Sequence, residues 1–299
     1  MRVLVLGGTG SIGGPMVRTL VKRGHEVGAI ARSDASAKKL DVFGALPIPG
    51  DIRRPEEWLG ALPPCDAVIH AACEFEGAME KIECHLLDSL LPYLAARAQN
   101  SKFIYTGGCW LFGAAGDHVA TEATPFSPLP AFAWTLQHMR RILETSGIEP
   151  VIIHPAMVYE RDGGVFSSFA RDAVERRPIR IVGGENVRWP LVHSDDLASL
   201  YALALARGVA RESYIGSAID GLPVGNIARA FARRYGGVDR GLEVVSADKI
   251  SAELGDWARG YALDQQLSGE KARSRLGWEP THLDPESEIA SMTRASVDS

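Results

Sequence analysis

Apolar residues along this chain fall into short unbroken runs separated by longer stretches with helical spacing. Residues 3–6 read Val-Leu-Val-Leu, with no polar member to turn toward water, the pattern of a strand covered on both faces in a parallel sheet. Gly7, Gly10 and Gly13 follow at intervals of three. Beyond them Ile12, Met16 and Leu20, with Val17 and Val21, recur at helical spacing; Arg18, Lys22 and Arg23 lie off that stripe, and Gly24 supplies a stop. The opening therefore predicts strand, glycine turn, helix.

Similar short runs at 27–31, 46–48, 67–69, 103–105 and 151–153 predict five more strands, with helical patterns between most of them, including 79–99 and 133–145, the latter closed by Gly147. This alternation predicts an α/β fold with a Rossmann-type, doubly wound parallel sheet. Past residue 157 the regularity fades, and Gly163-Gly164, Gly183-Gly184 and Gly236-Gly237 divide the chain into shorter pieces. The expected division is a dinucleotide-binding domain over 1–156, with 187–206 packing back on it through a helix at 195–206, and a smaller C-terminal substrate lobe built from 157–186 and 207–299.

Composition narrows the function. With 299 residues, 46% of them hydrophobic, the chain can bury a large core. Its formal charge of -5 and scattered Lys and Arg argue against a nucleic-acid partner. Cys65, Cys73, Cys84 and Cys109 form no Cys-x-x-Cys pair, and neither His70 with Cys73 nor Cys84 with His85 is completed by a second pair, so no disulfide framework and no metal are expected. The four-residue first apolar run is too short for a signal or membrane segment. These features predict a soluble cytoplasmic protein, monomer or homodimer, whose partner is a small molecule.

The segment GGTGSIG, residues 7–13, carries the clearest chemistry. Its first glycine permits a tight turn, its second lets backbone approach a pyrophosphate, and its third lets helix pack on strand, with the helix N-terminus facing the phosphates. Gly7, Thr9, Gly10, Ser11, Ile12 and Gly13 are thus candidate cofactor residues. After the second strand, Ala31 cannot accept from an adenosine ribose hydroxyl, whereas Arg32 can pair with a 2′-phosphate and Ser33 can add a hydroxyl donor. NADP(H) is preferred on this ground; NAD(H) stays compatible if Arg32 stacks on adenine or points to water.

The glycine spacing, together with DAVIHAA at 66–72, FIYTGGCWLFG at 103–113, IIHPAMVY at 152–159, WPLVHSDDLASLYALAL at 189–205 and KARSRLGWEP at 271–280, resembles the short-chain dehydrogenase/reductases. The likeness is to their extended or atypical branch, which includes nucleotide-sugar epimerases and dehydratases. The resemblance implies that Asp51 and Ile52 contact adenine, that Ala71 and Ala72 line the cofactor, and that Pro155, Ala156 and Met157 reach its nicotinamide end. Thr106, at a strand end, is a candidate cofactor contact and a weak catalytic candidate.

The family's catalytic serine or threonine, tyrosine and lysine are replaced by Gly108, Phe132 and Leu136. No one-residue shift restores the Tyr/Lys pair. Cys109, Trp110, Phe132, Trp134, Met157, Tyr159 and Trp189 are read, with Gly108, as an apolar pocket suited to a flat aromatic or polyketide-like carbonyl rather than a sugar nucleotide. Among substitute proton donors, His138 is expected to face the surface, His154 to be a satisfied core residue, and Tyr159 to be the best placed. The expected function is NADP(H)-linked carbonyl reduction without the usual residues. A non-catalytic NAD(P)-binding regulator or sensor is the alternative, and a sugar-nucleotide epimerase or dehydratase is the second.

Overall fold

The computed structural model describes residues 1–75, 78–97, 100–114, 116–160, 163–235 and 241–291. The predicted opening is strand β1 (Arg2–Leu6), the glycine turn and helix α1 (Gly13–Lys22); β2 (Glu26–Ala31), α2 (Asp34–Val42), β3 (Leu46–Pro49) and β4 (Ala67–His70) follow. Next come α3 (Met79–Ala95), β5 (Ser101–Thr106), α4 (Thr135–Glu144), β6 (Ile148–Pro155) and β7 (Met157–Tyr159). Helix α3 stops short of the predicted 79–99, whose residues 98 and 99 lie outside the described residues.

The second half holds α5 (Ser167–Val174), β8 (Ile179–Val182), β9 (Arg188–His193), α6 (Ser194–Arg207), β10 (Glu212–Gly216) and β11 (Ile219–Pro223). It ends with α7 (Val224–Tyr235), β12 (Leu242–Val245), α8 (Ala247–Leu254), a 3-10 segment (Asp256–Ala262), α9 (Glu270–Leu276) and α10 (Pro285–Ser291). The predicted break at Gly236-Gly237 lies outside the described residues.

The central sheet has seven strands in the order β10-β6-β5-β4-β1-β2-β3, each pair parallel. Strand alternation explains why its sequences are apolar throughout. Leu4 and Leu6 enter one core with Val68, Phe103 and the leucines of α3, while Val3 and Val5 enter the opposite core with Ile69, Ile104 and α1. The chain runs outward from β1 to β3 and then returns to β4 on the other side of β1. A crevice therefore opens at the carboxyl ends of β1 and β4, where such sheets bind ligands.

The division by residue number needs correction. Strand β10, assigned by number to the C-terminal lobe, pairs with β6 and completes the central sheet, because Tyr214 and Ile215 have apolar neighbours on both faces. Helix α9 and Trp278 also pack on the sheet side, against α6, and the indole donates to the Asp196 carbonyl at 2.9 Å. The remaining strands form a three-stranded sheet, β11-β9-β7, and a parallel pair, β12-β8. His193 caps α6 through Nδ1, while the Asp196 carboxylate accepts from the Thr281 and His282 amides at 3.0 and 2.9 Å. The Val-His-Ser-Asp-Asp segment thus ties the C-terminal chain to the sheet domain.

Candidate active site

The glycine turn is held by backbone overlap that only glycine permits. Gly7 has φ +85°, and a Cβ there would lie 2.6 Å from the Ala72 nitrogen; a Cβ on Gly13 would overlap the Gly7 carbonyl. Gly10 differs, since an added Cβ would meet only the Gly7 oxygen, at 3.5 Å, and would otherwise project into open space. That space fits a pyrophosphate lying across the start of α1, whose first turn has no acidic side chain. Thr9 contributes its carbonyl, which accepts from Lys39 Nζ at 2.8 Å.

From this turn a cavity of about 440 Å³ runs along the strand ends. Gly10, Ser11, Ile12, Ala71, Ala72, Thr106, Pro155, Ala156 and Met157 line it, so the structure brings most of the expected cofactor residues to one groove. Thr106 Oγ1 lies 2.6 Å from the Tyr201 hydroxyl of α6. Asp51 and Ile52 sit beyond β3, where the Asp51 carbonyl accepts from Trp58 Nε1 at 2.8 Å. Ser33 caps α2, accepting from the Ser36 amide at 3.2 Å. Arg32 lies 3.5 Å from the Glu74 carboxylate.

At the other end the cavity meets a box of aromatic rings. Trp110 stands 5.6 Å from Phe132, 5.5 Å from Tyr261 and 6.1 Å from Trp257, and Phe75 stands 4.9 Å from Trp257 and 6.3 Å from Phe132, all between ring centroids. Gly108, Cys109 and Trp134 also line this end. Gln265, buried, donates through Nε2 to the Cys109 carbonyl at 3.0 Å and to the Phe112 carbonyl, fixing the loop that carries Trp110. Burial pushes the Cys109 thiol up to about 12, so it stays protonated.

Two expected pocket residues are elsewhere. Tyr159 is buried against Phe166 at 4.6 Å, and its hydroxyl donates toward the His282 carbonyl and Glu288. Burial, then the charges of Glu288 and Asp196, push its phenol upward, which makes it a poor acid. Trp189 stacks on Phe169 at 5.7 Å and donates to the Tyr261 carbonyl, supporting the box from behind. Both side chains serve the interior of the second half, where apolar partners are abundant.

Two histidines also differ from expectation. His138 is buried, edge-on to Trp134 at 5.6 Å, rather than at the surface. Phe132 belongs to a 3-10 turn (Pro130–Phe132) and α4 starts only at Thr135, so a single helical wheel through both residues misplaces His138. His154 is a core residue, but neither ring nitrogen has a hydrogen bond of ordinary geometry. Burial lowers its pKa to about 4, a weak Gly108 backbone interaction only partly offsetting it.

The ionisable group that sequence reasoning missed lies on the cavity wall. His70, at the end of β4, has Nε2 at 3.1 and 3.0 Å from the two oxygens of Glu83 on α3, and both side chains are buried. Burial opposes ionisation of Glu83 most strongly, yet the His70 charge and hydrogen bonds from His70 and Tyr105 together outweigh it and hold the carboxyl below its ordinary range. Burial, with the Glu83 charge, pushes the Tyr105 phenol well up. The one available signal was Glu83 itself, an acid within the leucine-rich stripe of α3.

Among the described residues, His193, Asp195 and His282 form the cluster with metal-ligand atoms within 4.8 Å of one another. The two imidazoles stack at 3.8 Å and His193 Nδ1 already accepts the Asp195 amide, so their lone pairs do not converge on one point. The arrangement closes the start of α6.

Comparison with known proteins agrees with this geometry. The model of the NAD dependent epimerase/dehydratase family matches residues 3–215. The chain is 26% identical over 297 residues to the uncharacterized protein C2A9.02 of Schizosaccharomyces pombe, covering 97% of this chain and 99% of that protein. It is 26% identical over 247 residues to a 4-hydroxy-2-methyl-3-oxo-4-farnesyl-3,4-dihydroquinoline-1-oxide ketoreductase of Stigmatella aurantiaca, covering 75% and 70% of the two chains. The crystal structure of DesIV, a dTDP-glucose 4,6-dehydratase from Streptomyces venezuelae with NAD and TYD bound, superposes with TM-score 0.82 at 21% identity, covering 97% and 96%.

Proposed function

This chain belongs to the NAD dependent epimerase/dehydratase family, and from that premise we propose that it reduces the carbonyl of a flat aromatic or polyketide-like small molecule with NADP(H), without the family's usual tyrosine and lysine. The observation that carries this reading is the cavity wall. It joins the glycine turn to the aromatic box, and among the described residues it includes no arginine or lysine to hold the phosphates of a sugar nucleotide. The similarity to a ketoreductase supports the same reaction class.

When bound, a reduced nicotinamide supplies hydride to the carbonyl carbon. The chain's own residues do the rest. Gly10, Ser11 and Ile12 hold the phosphate end, and Pro155, Ala156 and Met157 set the depth of the nicotinamide end. Trp110, Phe132 and Trp257 orient a planar substrate beside it and exclude water. His70 and Glu83 lie joined through Nε2 on the wall of the same cavity, and the proton for the reduced oxygen comes from an acidic hydroxyl of the substrate or from water. A non-catalytic sensor has less support, because the cavity leaves space between the strand ends and the aromatic box.

The test is deuterium transfer from 4-deuterated NADPH to a panel of quinones, hydroxyaryl ketones, simple ketones and UDP-sugars. Label is expected in the quinones and hydroxyaryl ketones and not in the last two classes. A chain that binds cofactor but labels no carbonyl removes the reductase reading, and epimerisation of a UDP-sugar replaces it.

A further inference from the structure

Three strand ends converge on one carboxylate. Arg32 follows β2, Arg53 lies in the turn after β3, where its amide donates to Asp51 Oδ1 at 2.9 Å, and Glu74 lies in the segment after β4. Strands β4 and β2 flank β1 on opposite sides, so Glu74 reaches across the end of β1, which carries the glycine turn, to meet both arginines. Arg53 Nε donates to Glu74 Oε2 at 2.8 Å and a terminal nitrogen of Arg53 donates to Oε1, while Arg32 lies 3.5 Å from Oε1. The Glu74 side chain is 17% exposed and those of Arg32 and Arg53 are 66% and 47% exposed. Among these three side chains, two cations share one anion.

We infer that Glu74 is a removable counter-ion seated where the 2′-phosphate of NADP(H) binds, and that Arg32 and Arg53 exchange it for that phosphate. This rests on the NADP(H) reading and adds to it a second arginine and an internal competitor. A phosphate offers more charge and more acceptor oxygens than a carboxylate, and both match the guanidinium fork. Two anions cannot share the same pair of arginines without strong repulsion, so the seat takes one at a time. An unphosphorylated cofactor brings no anion to this position and leaves the clasp closed. Glu74 therefore subtracts from the affinity for NADPH and not from that for NADH.

Calorimetric titration with 2′,5′-ADP and 5′-ADP, which carry the adenosine end alone, separates this inference from the reading it rests on; NADPH and NADH complete the set. Glu74→Gln is expected to bind 2′,5′-ADP and NADPH about fivefold more tightly, the upper end for a partly exposed ion pair, with 5′-ADP and NADH unchanged within about twofold. Arg32→Ala and Arg53→Ala are each expected to lose most of the preference for the phosphorylated ligands. If Glu74→Gln gains nothing while Arg32→Ala still loses the preference, the counter-ion is overturned and the NADP(H) reading stands. Selective weakening of NADH in Glu74→Gln assigns the carboxylate to a ribose hydroxyl and overturns the exchange. If the unmodified chain binds 2′,5′-ADP no better than 5′-ADP, both readings fall.

Discussion

His70 and Glu83 meet at 3.0 Å on the floor of the cavity, a buried pair joining the end of β4 to the leucine-rich face of α3. Breaking such a pair leaves its remaining member buried without full compensation, so Glu83→Gln is expected to cost about 3 kcal/mol at neutral pH. The Glu83 carboxyl titrates below its unfolded value, so its stabilisation is complete above the ordinary carboxylate range and is lost as pH falls through the lower folded value. Urea unfolding across pH checks both points. A variant as stable as its parent, with the same acid limb, would contradict them.

The middle and last glycines of the turn should behave in opposite ways. Gly13→Ala forces a Cβ onto the Gly7 carbonyl and is expected to destabilise the fold by roughly 3 kcal/mol. Gly10→Ala has room, so its stability should stay within about 0.5 kcal/mol while NADPH affinity falls about tenfold or more, because the new methyl fills the groove. Thermal unfolding paired with fluorescence titration reads the two effects separately.

Trp257 closes the aromatic box from the 3-10 segment, 4.9 Å from Phe75. Its truncation to alanine should weaken binding of a naphthoquinone about tenfold, from lost apolar area and ring contact, and leave NADPH binding unchanged. Tryptophan quenching would measure the first and calorimetry the second. Equal quinone affinity in the variant would show that the box is only packing.

Tyr159→Phe separates the sequence expectation from the structure. Its hydroxyl contacts, at 3.3 and 3.4 Å, tie β7 to the C-terminal segment, so stability should fall by about 1 kcal/mol or less, with deuterium transfer unaffected. A large loss of transfer at unchanged stability would return Tyr159 to the catalytic role.

His154 supplies a pH signature of the core. Its folded pKa, about 4, lies below the ordinary imidazole value of 6.5, so the unfolded chain binds a proton that the native chain refuses. Native stability should decline as pH falls from about 6.5 toward 4, by an amount of the order of 3 kcal/mol. His154→Met should remove that slope; an unchanged slope would place its origin elsewhere.

Local pattern determined the parallel sheet and the glycine turn, because a strand buried on both faces and a turn that admits no Cβ leave local signatures at residues 3–13. The expectation that Gly108, Phe132 and Leu136 stand at the usual catalytic positions rests on equally local segments. Side-chain direction was not local. Tyr159 and Trp189 turned into the second half and His138 into the core, since a short 3-10 turn resets helical phase and packing partners select the face. The His70–Glu83 pair, the Arg32–Glu74–Arg53 clasp and the contact of Phe75 with Trp257 join positions 13 to 182 residues apart in sequence. No spacing rule encodes such meetings. They were decided when the chain crossed from β3 to β4 and the 3-10 segment folded back over the strand ends, bringing remote side chains within contact distance.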